Sequence, residues 1–139
     1  MSIDKKKALY RRMQDEFFNK GNLDLVDEVF AATRRESIKG YITAVRAAFP
    51  DLRVEVNEIV VEGDWTAWRR TMSGTHQGEW LGIPATGREV TWQEMLISHM
   101  VDDQIVEEWY IPDRLDLLRQ FGVLPPQEEL VERAKSKQA

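Results

Sequence analysis

Leu52-Arg53-Val54-Glu55-Val56-Asn57-Glu58-Ile59-Val60-Val61-Glu62-Gly63-Asp64-Trp65 is where the chain changes its period. Leu52, Val54 and Val56 alternate with Arg53, Glu55 and Asn57, the two-residue repeat of a strand, and Ile59-Val60-Val61 closes it. Gly63-Asp64 then reads as a tight turn into a second strand, from Trp65 to about His76. A third strand is expected from about Glu89 to Val101. Asp102-Asp103-Gln104 makes the next turn, and a fourth strand runs from Ile105 to Ile111. Pro112 stops it, and Asp113 stands where it can cap a helix holding Leu115, Leu117, Leu118 and Phe121, which Gly122 ends.

Upstream of Leu52 the period is helical. Leu9, Met13 and Phe17 recur at four-residue spacing among Lys and Arg, and Gly21 ends that helix. Asn22 can cap a short second helix carrying Leu23, Val26, Val29 and Phe30. A third, from about Arg35, carries Ile38, Tyr41, Ile42, Val45 and Phe49 up to Pro50, which forbids its continuation. Three helices followed by antiparallel hairpins give an α+β fold. A strongly curved sheet wrapped around the helices would form a cone open at one end. One such domain over residues 1–124, with a charged peripheral tail over 125–139, accounts for the whole sequence.

Composition narrows the function. The 139 residues are 42% hydrophobic and 31% charged, with 19 Lys plus Arg against 24 Asp plus Glu and a net charge of -5. That balance argues against a nucleic-acid groove, which needs clustered positive charge. Absence of cysteine removes disulfides, thiolate catalysis and zinc–thiolate sites. No stretch approaches the roughly 20 apolar residues of a membrane span, and Met1 to Arg12 has no apolar run behind it. A cytoplasmic protein with no membrane or nucleic-acid partner is expected.

Both faces of the strands carry large apolar groups. Trp65 and Ala67 share one face of the second strand, with Trp68 and Met72 on the other; Met95 and Ile97 oppose Trp92, Leu96 and Met100 on the third. One face is expected to line an interior pocket and the other to pack on a second copy, giving a homodimer.

Asp113 is the first candidate for chemistry. Period-two counting puts Ile105, Glu107, Trp109 and Ile111 on one face, which Asp113 would share. A carboxylate against Trp and Ile loses solvation, so its pKa should rise toward that of a general base near neutrality; the alternative is a simple helix cap. His99, near the end of the third strand, is either a partner of Asp113 across the cone or a histidine satisfied by backbone. His76, in the run Gly74-Thr75-His76-Gln77-Gly78, belongs to a structural turn. His76, His99 and Asp113 lack any short-range ligand spacing, and no metal is expected. Arg69 and Arg70 point to opposite faces, so one turns inward or into an interface. An inward Arg could stabilise an enolate, but an ion pair with Glu94 or Glu107 is the reading we adopt. Trp68 and Trp109, with Met72 and Ile97, are the expected substrate contacts.

One set of fragments carries more than periodicity. Gly74-Thr75-His76-Gln77-Gly78-Glu79 and Leu81-Gly82-Ile83-Pro84-Ala85-Thr86-Gly87-Arg88 lie between Ala48-Phe49-Pro50-Asp51-Leu52 and Ile105-Val106-Glu107-Glu108-Trp109; Asp113 and Gln120-Phe121-Gly122 follow. In this order they resemble the SnoaL-like polyketide cyclases, a branch of the nuclear-transport-factor-2-like α+β barrels, over Asp4 to Leu124. The resemblance implies a cone-shaped pocket and cofactor-free aldol closure of an aromatic polyketide ester, with Asp113 as acid/base and His99 polarising the substrate. Relatives linked to anthracycline ring hydroxylation, and a non-catalytic small-molecule-binding dimer, are the alternatives. Two features depart from the family: Ala31-Ala32 passes directly to Thr33-Arg34-Arg35 where relatives carry an irregular segment, and Asp102-Asp103-Gln104 replaces an Asp-Gly turn.

Overall fold

The computed structural model describes residues 1–138. The chain runs through α1 (Ile3–Gln14), one π-helical turn (Asp15–Asn19), α2 (Asp24–Val29) and α3 (Ala32–Ala48). Then come β1 (Arg53–Glu62), β2 (Trp65–Thr75), β3 (Glu89–Val101) and β4 (Gln104–Pro112), and finally α4 (Arg114–Gln120) and α5 (Gln127–Gln138). The strands pair in sequence order, antiparallel throughout. This is the expected α+β fold, but the sheet stays open, with β1 and β4 as its edges.

Two-residue turns fix the register. Glu62 pairs with Trp65 across Gly63-Asp64, and Val101 with Gln104 across Asp102-Asp103. Asp102 and Asp103 take φ of 50° and 60°, the doubly left-handed backbone of a type I′ hairpin that short Asp side chains tolerate. With register set, Trp68, Arg70 and Met72 of β2 point inward beside Trp92, Glu94, Leu96 and Ser98 of β3. The helices cover that face. Tyr10, Met13 and Phe17 are buried from the α1 side, and Ile42, Val45 and Ala48 from α3. Asn19 clamps the π turn to β1, donating to Val54 O at 3.1 Å and accepting from Val54 N at 2.8 Å.

The third helix starts at Ala32, earlier than Arg35. Phe30 forms a parallel bridge with Ile105, and Ala31 N donates to Ile105 O at 3.0 Å, so the chain leaves an extended contact straight into helix. The opposite end of the sheet is closed by the β2–β3 connection. Its His76 is fully buried, stacked on Phe121 at 4.1 Å and facing Phe49 at 5.5 Å, with Nδ1 3.0 Å from Thr86 Oγ1. Burial holds the His76 pKa below its usual value. α5 buries no residue, and among the described residues no helix is long and apolar enough to cross a membrane.

Gly78 marks a close backbone approach. Gln77 N and Gly78 N both donate to Ala48 O, at 2.9 and 3.0 Å, which brings the loop against the end of α3. A Cβ at residue 78 would meet Ala47 O at 2.8 Å and Ala48 Cα at 3.1 Å, both backbone atoms that cannot swing aside. Gly78→Ala is expected to lower stability by about 1–3 kcal/mol in urea unfolding.

Candidate active site

A one-residue bulge in β4 decides what faces the interior. Met100 pairs with Ile105, but His99 pairs with Glu107, so Val106 is the extra residue. Ile105 therefore points inward before the bulge, and after it the inward positions are Glu108, opposite Ser98, and Tyr110, opposite Leu96. Glu107, Trp109 and Ile111 turn outward. The expectation that Ile105 and Trp109 share a face is corrected by this single residue: Ile105 is fully buried, whereas Trp109 is 60% and Ile111 72% exposed.

The inward groups border a cavity of ≈ 170 Å³ between sheet and helices. Trp68, Arg70, Leu96, Glu108 and Tyr110 form its sheet wall. Phe17 and Phe18 both reach it from the π turn, whose extra residue widens the helix there. Arg34, Ile38 and Tyr41 of α3 complete the opposite side.

A connected polar network lies within this apolar shell. Arg70 and Glu94 occupy directly paired inward positions of β2 and β3 and form a buried ion pair at 2.6 Å, their side chains only 4% and 1% exposed. The inward Arg and its Glu94 partner match the sequence reading. Arg70 also donates to Gln14 Oε1 at 2.6 Å and lies over the Phe18 ring at 4.8 Å. Burial is the strongest influence and opposes its charge, but Glu94 together with Tyr41 and Tyr110 outweighs it and holds the pKa above its usual value. Glu94 Oε2 accepts from Trp92 Nε1 and Tyr110 Oη, each at 2.8 Å, and Tyr110 Oη lies 3.3 Å from Tyr41 Oη. Burial pushes both tyrosine hydroxyls toward staying protonated.

Glu108 stands apart from that network. Its Oε2 accepts from Ser98 Oγ at 2.7 Å, and Ser98 Oγ in turn accepts from Trp68 Nε1 at 3.3 Å. Burial raises the Glu108 pKa above its ordinary value, because the surrounding apolar wall penalises the ionised form. A carboxyl lining an apolar cavity with a raised pKa is the condition of a general acid/base.

The residues singled out in the sequence divide between the two faces. Trp68 lines the cavity; Met72 is fully buried in the core and does not. Ile97, His99 and Trp109 lie on the outer face, with the His99 ring stacked on Trp65 at 4.3 Å. Asp113 is exposed and caps α4, accepting from Asp116 N at 3.2 Å. Its N donates to Gln93 O, six residues along β3 from His99, a separation of about 20 Å at strand rise. Asp113 and His99 therefore do not meet, and the expectation of one shared desolvated site is corrected. Among the described residues no three His, Asp or Glu side chains are grouped to hold a metal. Glu108, Arg34, Tyr41 and Tyr110 were not singled out. The adjacent apolar pair Ile105-Val106 breaks the alternation of β4 and is the signal that would have found the first of them.

Comparison with known proteins agrees with this architecture. The SnoaL-like polyketide cyclase family matches residues 8–121. Aklanonic acid methyl ester cyclase DnrD of Streptomyces peucetius is 29% identical over 108 residues, covering 77% of this chain and 72% of that protein. The structure of TsrD from Streptomyces laurentii superposes with a TM-score of 0.84 at 26% identity, over 89% of this chain and 99% of that one. AclR from Streptomyces galilaeus, a candidate hydroxylase, does so with a TM-score of 0.78 at 29% identity, over 89% and 100%.

Removing one member of the buried ion pair leaves the other charge without compensation. Glu94→Gln is expected to cost about 3–5 kcal/mol in urea unfolding, and the apolar double variant Arg70→Met/Glu94→Leu to recover most of that loss.

Proposed function

This chain belongs to the SnoaL-like polyketide cyclase family, and we propose that it is a cofactor-free, polyketide-cyclase-like enzyme that closes a single carbon ring by intramolecular aldol condensation. The observation that carries this reading is Glu108, a protonatable carboxyl in an apolar cavity. DnrD is named for a cyclase reaction on aklanonic acid methyl ester, which supports the reaction class. The cavity limits the size of the substrate. At ≈ 170 Å³ it falls below the roughly 300–1,000 Å³ of drug-sized sites and near the roughly 150 Å³ that holds a benzene ring.

In the proposed reaction the Glu108 carboxylate takes a proton from carbon next to a carbonyl, and the C–H electrons move onto the carbonyl oxygen as an enolate. The enolate carbon attacks a ketone carbon of the same chain, forming the C–C bond. The resulting alkoxide recovers the proton from Glu108. Tyr110 commits its proton to Glu94, so Tyr41 is the donor in the long 3.3 Å contact with Tyr110 and would stabilise developing oxygen charge by turning that proton toward it. Trp68 and the Phe17–Phe18 wall hold the chain folded on itself, replacing a random search with an oriented one.

The similarity to AclR favours a second reading, a tailoring hydroxylase; incorporation of oxygen from O2 into a product would identify it. For the outer face we propose a second copy of the chain as cover, because Met95, Ile97, Trp109 and Ile111 form one exposed apolar area across β3 and β4. A dimer mass in analytical ultracentrifugation, reduced to monomer by Ile97→Glu, is the expected result.

Proton NMR of deuterium uptake beside the carbonyl of phenylacetone tests the acid/base step. The protein alone is expected to accelerate exchange, and Glu108→Gln to reduce the acceleration by about 100-fold or more. Because the base must be ionised, the rate should rise with pH through a titration above the ordinary Glu value of 4.5. Asp113→Asn should leave the rate within about twofold. A silent wild type would leave the non-catalytic binding reading, and a fully active Glu108→Gln would move the base elsewhere.

A further inference from the structure

Arg34 breaks a local rule of helix construction. It stands with Arg35 in the first turn of α3, where the helix field disfavours positive charge. That turn holds no acidic residue, and its N-cap, Ala31, has no side chain able to offset the charge. Arg35 is compensated by donating from Nε to Phe30 O at 2.9 Å. Arg34 has no such bond: its Nε is buried without a hydrogen-bond partner among the described residues. Such a conflict between local preference and observed residue is characteristic of functional positions.

The location of Arg34 supplies the reason. Its side chain borders the cavity that Glu108 borders; its charge favours the ionised form of Glu108 from a distance, but among the described residues the two make no hydrogen bond and no ion-pair contact. The rest of the helix side is mostly apolar, from Phe17, Phe30 and Ile38, with Gln14, already bonded to Arg70, and the Tyr41 hydroxyl as its polar groups. A guanidinium is a planar, permanently charged fork that matches a carboxylate in two parallel hydrogen bonds, and a low-dielectric surround strengthens that match. An apolar space of one-ring size with one unpaired guanidinium at its wall is complementary to a ring that carries an acid group.

We infer that Arg34 is the specificity-determining residue of this cavity, binding a carboxylate, so that the molecule it accepts is a carboxylic acid of about one ring's size rather than the corresponding neutral ester. This rests on the cavity being the substrate site proposed above, and it adds the charge that the substrate must bear. The Tyr41 and Glu108 side chains then face the uncharged part of the ligand.

The test compares benzoate with methyl benzoate by calorimetry, with cavity amides followed by two-dimensional NMR. Wild type is expected to bind benzoate one per chain, at least about tenfold more tightly than methyl benzoate. Arg34→Met should weaken benzoate by about tenfold or more while leaving methyl benzoate within twofold, and Arg34→Lys should fall between. Equal affinity for acid and ester in wild type, or an Arg34→Met variant that keeps full benzoate affinity, would overturn the inference while leaving the cavity as a binding site. If neither compound shifts the amides of Ile38, Tyr41 or Trp68, the inference and the one-ring cavity reading fall together. Should Arg34→Met not fold, the wild-type comparison of acid with ester still decides.

Discussion

The buried Arg70–Glu94 pair is the constraint around which the interior is organised. Withdrawing two charges from water costs several kcal/mol for each ion, and their attraction offsets this only where the remaining donors and acceptors are also satisfied. Gln14 takes one Arg70 nitrogen, while Trp92 and Tyr110 occupy the second Glu94 oxygen. Through Tyr110 the chain of contacts reaches Tyr41 on α3. One ion pair thus ties the end of α1, three strands and the third helix, which between them supply most of the cavity wall. An apolar pair of similar volume could stabilise such a core equally well, so what the charges add is fixed orientation of the groups around the cavity.

The register of the sheet then determines which residues join that interior. Alternation from Leu52 onward, the two hairpin turns and the helical spacings before Pro50 were enough to read the order of elements from the sequence. The hairpins close where Gly63-Asp64 and Asp102-Asp103 stand because those residues tolerate the backbone the turns require. What periodicity could not supply was the parity of β4. Val106 adds one residue, and one residue exchanges the faces of everything after it, bringing Glu108 in and sending Trp109 out. Amphipathic contrast gave no correction, because Met95, Ile97 and Ile111 make the outer face almost as apolar as the inner one.

The same physics explains the fate of the candidate residues. Asp113 follows Pro112 at the strand end, and its carboxylate finds a backbone amide of the next helix three residues on, a short-range bond available without any pocket. His99 finds the flat face of Trp65 on the adjacent strand. Arg70 was legible because two successive arginines on a strand must face opposite ways and Glu94 offered a partner. Arg34 was not, since its meaning depends on the cavity that α3 closes and on its Nε having no hydrogen-bond partner among the described residues.

The chemistry proposed for this scaffold follows from where the bulge places one carboxyl, since the fold alone supports many reactions. Glu108 accepts a hydrogen bond from Ser98 and feels the positive charges of Arg70 and Arg34, yet its burial outweighs all three and disfavours its ionised form. A carboxyl-carbon NMR titration of Glu108, assigned by comparison with Glu108→Gln, tests that placement most directly. The account predicts a titration midpoint clearly above the ordinary Glu value of 4.5. A midpoint at or below that value would show that the surroundings stabilise the ionised form of Glu108 and would contradict its role as acid/base.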